Sequence, residues 1–475
     1  MIFHRISNNS QRLRYVAADL LSGGLAFWIF DIVRYFLLIE QTDGYTDLWD
    51  YLGSAKLILE QCLVPPCLLA IYWLSGYYNK PFQKSRLQEF NVTFISEVIN
   101  TTLIFLIFLI DDQTVKRRIN YELIIILFGS LFFITYTFRL CITNFAINNF
   151  RKKLWQINVL ILGNSEMSRK FAEKLKKVRR DATYRICGFI EIPGESSIKD
   201  NERIYSFDSL GKVYKDLDIN QVIIVPEFHD DKKVMKLLSV LFPLKIPVKI
   251  SPDTFSYVTS AIRMKDIYAE PFIDLTGPSM GDASINIKRC CDVIVSALIL
   301  ILLSPLYMIL SVLVKISSKG KIIYSQERIG RFQRPFMIYK FRTMKEDAEP
   351  NGPLLSNDND PRITATGKWM RKYRLDELPQ FWNVLKGDMS IVGPRPEREF
   401  YIKQIVEKAP YYTLVCQVRP GITSWGMVKY GYATTVPQMV ERTRYDLIYL
   451  ANMSLAVDCK ILIYTVKTVL KGEGK

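Results

Sequence analysis

Four apolar stretches crowd the first 140 residues, at roughly 15–39, 55–77, 92–110 and 121–142, each long enough to cross a bilayer as a helix. A chain that begins this way does not fold as one water-soluble core. Hydrocarbon offers no partner to backbone N–H and C=O groups, so helices that satisfy them internally, packed as a four-helix bundle over 1–150, are expected. Flanking cations set the orientation. Arg12 and Arg14 precede the first stretch, Lys80, Lys84 and Arg86 follow the second, and Arg151, Lys152 and Lys153 follow the fourth. Asp43, Asp47 and Asp50 occupy the first loop, and only Lys116, Arg117 and Arg118 oppose the pattern. Both ends of the bundle are therefore expected on the cytoplasmic face. Asp19, Asp31 and Arg34 fall within or beside the first stretch, where bundle-facing structural roles are expected. No short apolar core with a small-residue cleavage site begins the chain, so no removable signal peptide is expected.

At 475 residues the chain needs more than one structural unit. Its formal net charge of +16 calls for negative partners, and the membrane spans favour anionic lipids and phosphorylated substrates over nucleic acid. The eight cysteines form no CxxC pair and there are only two histidines, which argues against zinc. From residue 157 short apolar runs alternate with polar helices. Strands are expected at 158–163, 186–190, 222–226 and 246–250 and a helix at 168–178, the pattern of a parallel, Rossmann-like α/β module over 151–280. A dinucleotide site would need three spaced glycines, yet the run is Gly163-Asn164-Ser165-Glu166-Met167-Ser168. No nucleotide cofactor is expected there.

The segment 281–475 opens with Lys288, Arg289 and Asp292, followed by the apolar run 293–316 with Ser304-Pro305 at its middle. Cations flank both ends: Lys288 and Arg289 before, Lys315, Lys319 and Lys321 after. Both ends thus prefer the cytoplasmic side, and proline breaks the helix hydrogen-bond ladder. A re-entrant membrane helix over 285–316, broken at Ser304 and Pro305, is expected rather than a fifth crossing. Lys288 and Arg289 are candidate headgroup contacts. The polar stretch 345–360 is expected to be a loop, and 445–470 an interfacial or partner-packing helix.

Between these lies the chemistry. Asp376 and Glu377 begin an expected helix, with Asp376 at its N-cap and Leu378, Phe381, Trp382 and Leu385 as an inward stripe. An aspartate there is commonly only a cap, but an ionised carboxylate at a helix start can also attack phosphorus. Glu377 is a hard oxygen ligand suited to magnesium or manganese. Arg342, Arg371 and Arg395 could neutralise a diphosphate, and Lys340 and Arg419 complete the expected substrate-binding set.

Taken together, Lys288–Asp292, Ser304-Pro305, Tyr339–Met344, Arg371–Val384, Lys386–Glu397 and Arg419–Thr423 resemble the bacterial sugar transferases, in particular the long monotopic polyprenyl-phosphate phosphoglycosyl transferases. Over the first 280 residues the likeness is one of layout. The resemblance implies a C-terminal α+β catalytic domain with a re-entrant membrane helix. Asp376 would take a sugar phosphate from a UDP-sugar, releasing UMP, and polyprenyl phosphate, of the undecaprenyl type, would then accept it. This would initiate exopolysaccharide, capsule or O-antigen synthesis at the cytoplasmic membrane. Glu377 would be the magnesium-associated carboxylate and Arg371 a phosphate contact. Ser424 stands where many members have glycine, so nucleotide and sugar preference are not inferred from that segment. Membrane lipids are further expected partners, and a homodimer is one expected assembly. Two other readings remain open: a scaffold or regulator with an inert C-terminal domain, and a glycosyltransferase that releases UDP.

Overall fold

The structure is a computed structural model that describes residues 8–39, 45–82, 84–109, 117–177, 184–192, 203–225, 237–238, 240–241, 244, 246–251, 273–274, 279–345, 354 and 360–472. Lys116, Asp43 and most of the loop expected at 345–360 lie outside the described residues. Two compact units form. One comprises the described residues of Met1–Ile157 together with Asp282–Ile287, and the other those of Asn158–Val178, Tyr184–Gly281 and Lys288–Lys475. Packing thus groups the expected 151–280 and 281–475 segments.

In the first unit four helices are long and apolar enough to cross a membrane: Asn8–Leu37, Ala55–Leu74, Arg86–Phe108 and Ile119–Arg151. Their regular α-helical portions are α1 (Asn8–Arg34), α2 (Ala55–Leu74), α3 (Arg86–Ile104) and α4 (Arg117–Arg151). Serines set two starts: Ser54 accepts from Leu57 N–H and Ser85 from Gln88 N–H. Phe27, Phe30, Val64, Leu68, Leu123 and Leu127 form the shared core. Asp19 faces inward, accepting from Arg139 Nε at 2.7 Å and Nη2 at 2.9 Å. The second apolar stretch ends at Leu74 rather than 77, because Gly76 has φ +78 and turns the chain out of the helix. Tyr77 and Tyr78 then fold back, donating to Glu89 and Asp19.

The second unit contains a six-stranded sheet of order β3-β2-β1-β4-β5-β6. Its strands are β1 (Ile157–Leu162), β2 (Tyr184–Ile190), β3 (Ile204–Tyr205), β4 (Gln221–Ile224), β5 (Val248–Ile250) and β6 (Ile273–Asp274). β2–β3, β1–β4 and β4–β5 are parallel, and β6 runs antiparallel to β5. Leu160, Leu162, Val222, Ile224 and Val248 build the core with Leu210 and Val213 of helix α6 (Leu210–Asp216). Gly163 lies at φ +113, and a Cβ there would collide with the Val225 carbonyl. Helix α5 (Glu166–Lys177) begins where Ser168 Oγ donates to that same carbonyl at 3.3 Å. The glycine therefore has a packing reason that involves no nucleotide.

Helices α7 (Asp282–Leu302) and α8 (Ser304–Ser317) are bent by 64° to one another at Leu303. Pro305 stands in the first turn of α8, where its missing N–H costs no intrahelical bond. An antiparallel hairpin follows, β7 (Ile323–Ile329) and β8 (Pro335–Phe341), in the register Ile323↔Phe341 to Ile329↔Pro335. Next come α9 (Ala365–Lys372), α10 (Gln380–Lys386), β9 (Ser390–Val392) and α11 (Glu399–Lys408). β10 (Gly421–Thr423) pairs parallel with β9, followed by α12 (Trp425–Lys429), α13 (Val436–Ala451) and α14 (Leu455–Leu470). The helix expected over 445–470 is therefore broken, because Ser454 caps a new start at Leu455. Val384, Met389, Ile405, Met439, Tyr449 and Ile461 form one core. Leu310 and Val314 of α8 join Phe341 and Met370 in a second.

Candidate active site

The Asp376–Glu377 pair occupies a 3-10 turn, Leu375–Glu377, between α9 and α10. Asp376 is therefore not the N-cap of the following helix, which begins at Gln380 behind Pro379. The preceding Arg374 is left-handed at φ 54, a conformation that costs an ordinary residue on the order of 1 kcal/mol. That reversal lets the Glu377 N–H donate to the Arg374 carbonyl at 3.2 Å and brings the Arg374 guanidinium within 3.8 Å of Glu377. Both carboxylates are buried.

β8 delivers Lys340 to this turn through the side chain of Asn383. The Asn383 amide donates to the Met337 carbonyl at 2.7 Å and accepts from the Tyr339 N–H at 3.1 Å, standing in for a neighbouring strand. So registered, Lys340 Nζ donates to Glu377 Oε1 at 2.7 Å. Arg395 approaches the same oxygen at 3.7 Å. Its segment, Gly393–Glu397, is fixed from behind by Glu397, which pairs with Arg442 and, at 3.4 Å, with Arg328. Gly393 and Gly421 pack backbone to backbone, where a Cβ on either would collide with the other strand. Arg371 donates from Nε to Thr343 Oγ1 at 2.9 Å.

Three cations, Lys340, Arg374 and Arg395, thus converge on Glu377. Burial pushes its carboxyl up, but these cations outweigh burial and hold it well below the usual range. Asp376 makes none of these ion pairs. Burial pushes its carboxyl up to about 6, Lys340 and Arg371 oppose this, and charged Glu377 adds to it. Two adjacent carboxylates therefore differ in kind: one is a fixed counter-ion, the other a buried, more basic carboxylate that is ionised at neutral pH. Nε and Nη1 of Arg342 and Nε of Arg374 are buried with no hydrogen-bond partner among the described residues. Buried donors in that state suit an anionic ligand.

The other expected contacts also make bonds to backbone or side chains within the protein. Arg342 donates from Nη2 to the Ser318 carbonyl at 2.6 Å, just past the end of α8. Arg419 donates to the Gly387 carbonyl at 2.9 Å, and Arg289 to the Val384 and Leu385 carbonyls at 2.7 and 3.1 Å. Those two arginines thus serve the C-terminal end of α10, where the helix dipole favours cations. Lys288 donates to Asp458 at 2.6 Å and to the Val392 carbonyl at 3.0 Å. The expected headgroup contacts, Lys288 and Arg289, therefore have donors committed within the protein. Of the expected inward stripe, Leu378 and Phe381 pack against core residues, whereas Trp382 is 57% exposed and the fully buried positions of α10 are Gln380, Asn383 and Val384. With Leu300, Tyr307, Ile323, Tyr339 and Pro379, Trp382 lines an apolar groove of about 370 Å3 beside the carboxylate turn. Arg374 and Asn383 are not among the residues singled out from the sequence. Arg374 carried a signal, its position three residues before Glu377, whereas the role of Asn383 depends on long-range contacts.

Among the described residues no group of three or more His, Cys, Asp or Glu side chains could hold a metal ion. Glu377, the expected metal ligand, pairs through its two oxygens with Lys340, Arg374 and Arg395.

Residues 283–472 match the family model described as bacterial sugar transferase. Over 188 residues the chain is 42% identical to the UDP-N-acetylgalactosamine-undecaprenyl-phosphate N-acetylgalactosaminephosphotransferase of Aeromonas hydrophila, covering 40% of this chain and 44% of that protein. It is 35% identical over 250 residues to the UDP-glucose:undecaprenyl-phosphate glucose-1-phosphate transferase of Klebsiella pneumoniae, covering 52% and 54%. An uncharacterized sugar transferase, EpsL, of Bacillus subtilis is 36% identical over 188 residues, covering 40% of this chain and 89% of that protein. The chain spans about half the length of the first two of these relatives. This chain belongs to the bacterial sugar transferase family.

Proposed function

We propose that this protein transfers a sugar 1-phosphate from a UDP-sugar to a polyprenyl phosphate of the undecaprenyl type, through a covalent intermediate on Asp376. The observation that carries the proposal is the division of labour at the turn, where Glu377 is neutralised by three cations and Asp376 is left buried, basic and unpaired by them. In the first step an Asp376 oxygen attacks the phosphorus that bears the sugar. The bond from that phosphorus to the bridging diphosphate oxygen breaks, and UMP leaves with the electron pair. In the second step an oxygen of the polyprenyl phosphate attacks the same phosphorus, the acyl phosphate bond breaks, and the Asp376 carboxylate is restored. Lys340, Arg371, Arg374 and Arg395 offset charge on the diphosphate and its transition state. The apolar groove lined by Tyr307, Tyr339, Pro379 and Trp382 suits the first isoprenoid units of the acceptor. Magnesium or manganese, if it arrived with the diphosphate, would be held by Glu377 or Asp376 and would supply further charge neutralisation.

The lipid acceptor requires the site at a membrane face. Two observations support a re-entrant α7–α8 pair and cytoplasmic placement. Lys315 lies in the last turn of α8, Lys319 and Lys321 follow it, and both arms of the pair attach to the same C-terminal fold. Lys288, Arg289 and Asp292 bind the first arm to α10, β9 and α14, while Leu310 and Val314 pack the second against Phe341 and Met370. A plain crossing would separate the two ends by a bilayer. The product would begin exopolysaccharide, capsule or O-antigen assembly.

The decisive experiment incubates the membrane protein with radiolabelled UDP-sugars and no acceptor. Sugar phosphate is expected to remain on the protein and UMP to be released, and Asp376→Asn is expected to abolish both. Release of UDP, or normal turnover by the variant, would remove the covalent mechanism.

A further inference from the structure

Tyr432 lies in the connection between α12 and α13, immediately after Gly431, whose φ of +91 turns the chain back. Its ring centroid is 5.2 Å from the guanidinium carbon of Arg374 and 5.2 Å from that of Arg395. These are two of the three cations that pair with Glu377, and they come from different parts of the chain. Arg374 precedes the carboxylate turn, whereas Arg395 follows β9. Two guanidiniums drawn to one carboxylate repel each other and can each swing on a long side chain. An aromatic face that meets both of them restrains both, because the ring quadrupole attracts each cation.

The element that carries Tyr432 is itself anchored to the site. Asp446 of α13 accepts from the Gly426 N–H at 3.0 Å, and Arg442 of α13 pairs with Glu397, two residues after Arg395. Thr435 and Gln438 close the start of α13: Gln438 N–H donates to Thr435 Oγ1 at 3.4 Å, and Gln438 Oε1 accepts from the Thr434 N–H at 2.8 Å. The segment that carries the ring is thus held on both sides, and Arg395 also meets Met427 Sδ at 3.0 Å.

We infer that Tyr432 is a positioning residue, whose ring stacks against Arg374 and Arg395 and holds both guanidiniums in the orientation that receives the diphosphate of the donor. The inference rests on the phosphoglycosyl transfer proposed above. It makes the ring, not the hydroxyl, the working part. Neither guanidinium then needs to be reoriented when substrate arrives, so the ring acts on turnover more than on folding.

The test measures UMP release at saturating donor, with wild type and Asp376→Asn run in parallel. Tyr432→Leu is expected to slow turnover by about tenfold to thirtyfold, the scale of a desolvated cation–π contact. Tyr432→Phe is expected to stay within about twofold of wild type. Wild-type turnover in Tyr432→Leu overturns the inference, and so does a phenylalanine variant as slow as the leucine one. Should the leucine variant fail to accumulate in membranes, Tyr432→Phe and Tyr432→Trp carry the test, and loss of activity in both is the overturning result. Absence of UMP release by wild type would instead defeat the underlying transfer reaction, so the two failures are distinguishable.

Discussion

Asp376 and Glu377 are neighbours in the chain, both buried, and their acidities shift in opposite directions. The difference comes from where Lys340, Arg374 and Arg395 point, since all three pair with Glu377. The proposed attack needs Asp376 in its ionised form, and burial pushes its pKa up to about 6. Activity is therefore expected to fall as pH drops through about 6, which a profile of kcat/KM against pH would display as a single-proton limb. Lys340 opposes the effect of burial on Asp376, so removing its charge raises that pKa further. Lys340→Met is expected to move the limb to higher pH and to reduce the plateau rate by about 100-fold, as loss of one electrostatic group at a reacting phosphate does. An unmoved limb would assign the acid titration to another group. The residue types were legible in the sequence because Asp-Glu within an arginine-rich frame is a chemical pattern. Their partners were not, since Lys340 and Arg395 reach the turn only through folding, and the same frame supplies the arginines that serve α10.

At the scale of elements, the site depends on β8 and α10 being locked together by one amide. Asn383 is fully buried and closes both a backbone donor and a backbone acceptor of β8. Asn383→Leu has similar volume but leaves the Tyr339 N–H and the Met337 carbonyl unpaired. It is expected to destabilise the fold by about 2–4 kcal/mol, read as a lowered midpoint of thermal unfolding in detergent, with activity lost in step. An unchanged midpoint would mean that β8 holds its place without α10. Helical periodicity alone could not reveal this. The pattern Leu378, Phe381, Trp382 and Leu385 invites an apolar inward face, yet the element is two turns long and its inward positions include Gln380 and Asn383. The four apolar helices and the break at Ser304-Pro305 were legible, because long apolar runs and an internal proline leave few alternatives. Their ends were less so: Gly76 and Ser454 set boundaries through a positive φ and a cap.

At the scale of the molecule, α7 and α8 either cross the membrane together or return to the side they came from. The apolar part of the first arm, from Val293 to Leu302, is about 15 Å long at 1.5 Å per residue, and the second, from Ser304 to Ile316, about 20 Å. Neither alone spans a hydrocarbon core of about 30 Å. With the axes bent by 64°, a pair set symmetrically about the membrane normal reaches roughly 8–10 Å deep, where a polyprenyl tail begins and its phosphate stays at the surface. The exposed apolar residues of the pair, Leu298, Ile301, Leu302, Met308, Ile309 and Val312, flank the bend and suit that depth. A crossing would instead have to place Lys315, Lys319 and Lys321 outside, against the usual distribution of cations, and pull α8 from Phe341 and Met370. A Lys321→Cys variant in a background lacking the eight native cysteines is therefore expected to resist an impermeant thiol reagent in intact cells and to react once the membrane is opened. A cysteine at Asp47, in the loop between the first two crossing helices, is the matched control and is expected to react from outside. Labelling of position 321 in intact cells would make the bent pair a fifth crossing, and would then separate the carboxylate turn from UDP-sugars made in the cytoplasm.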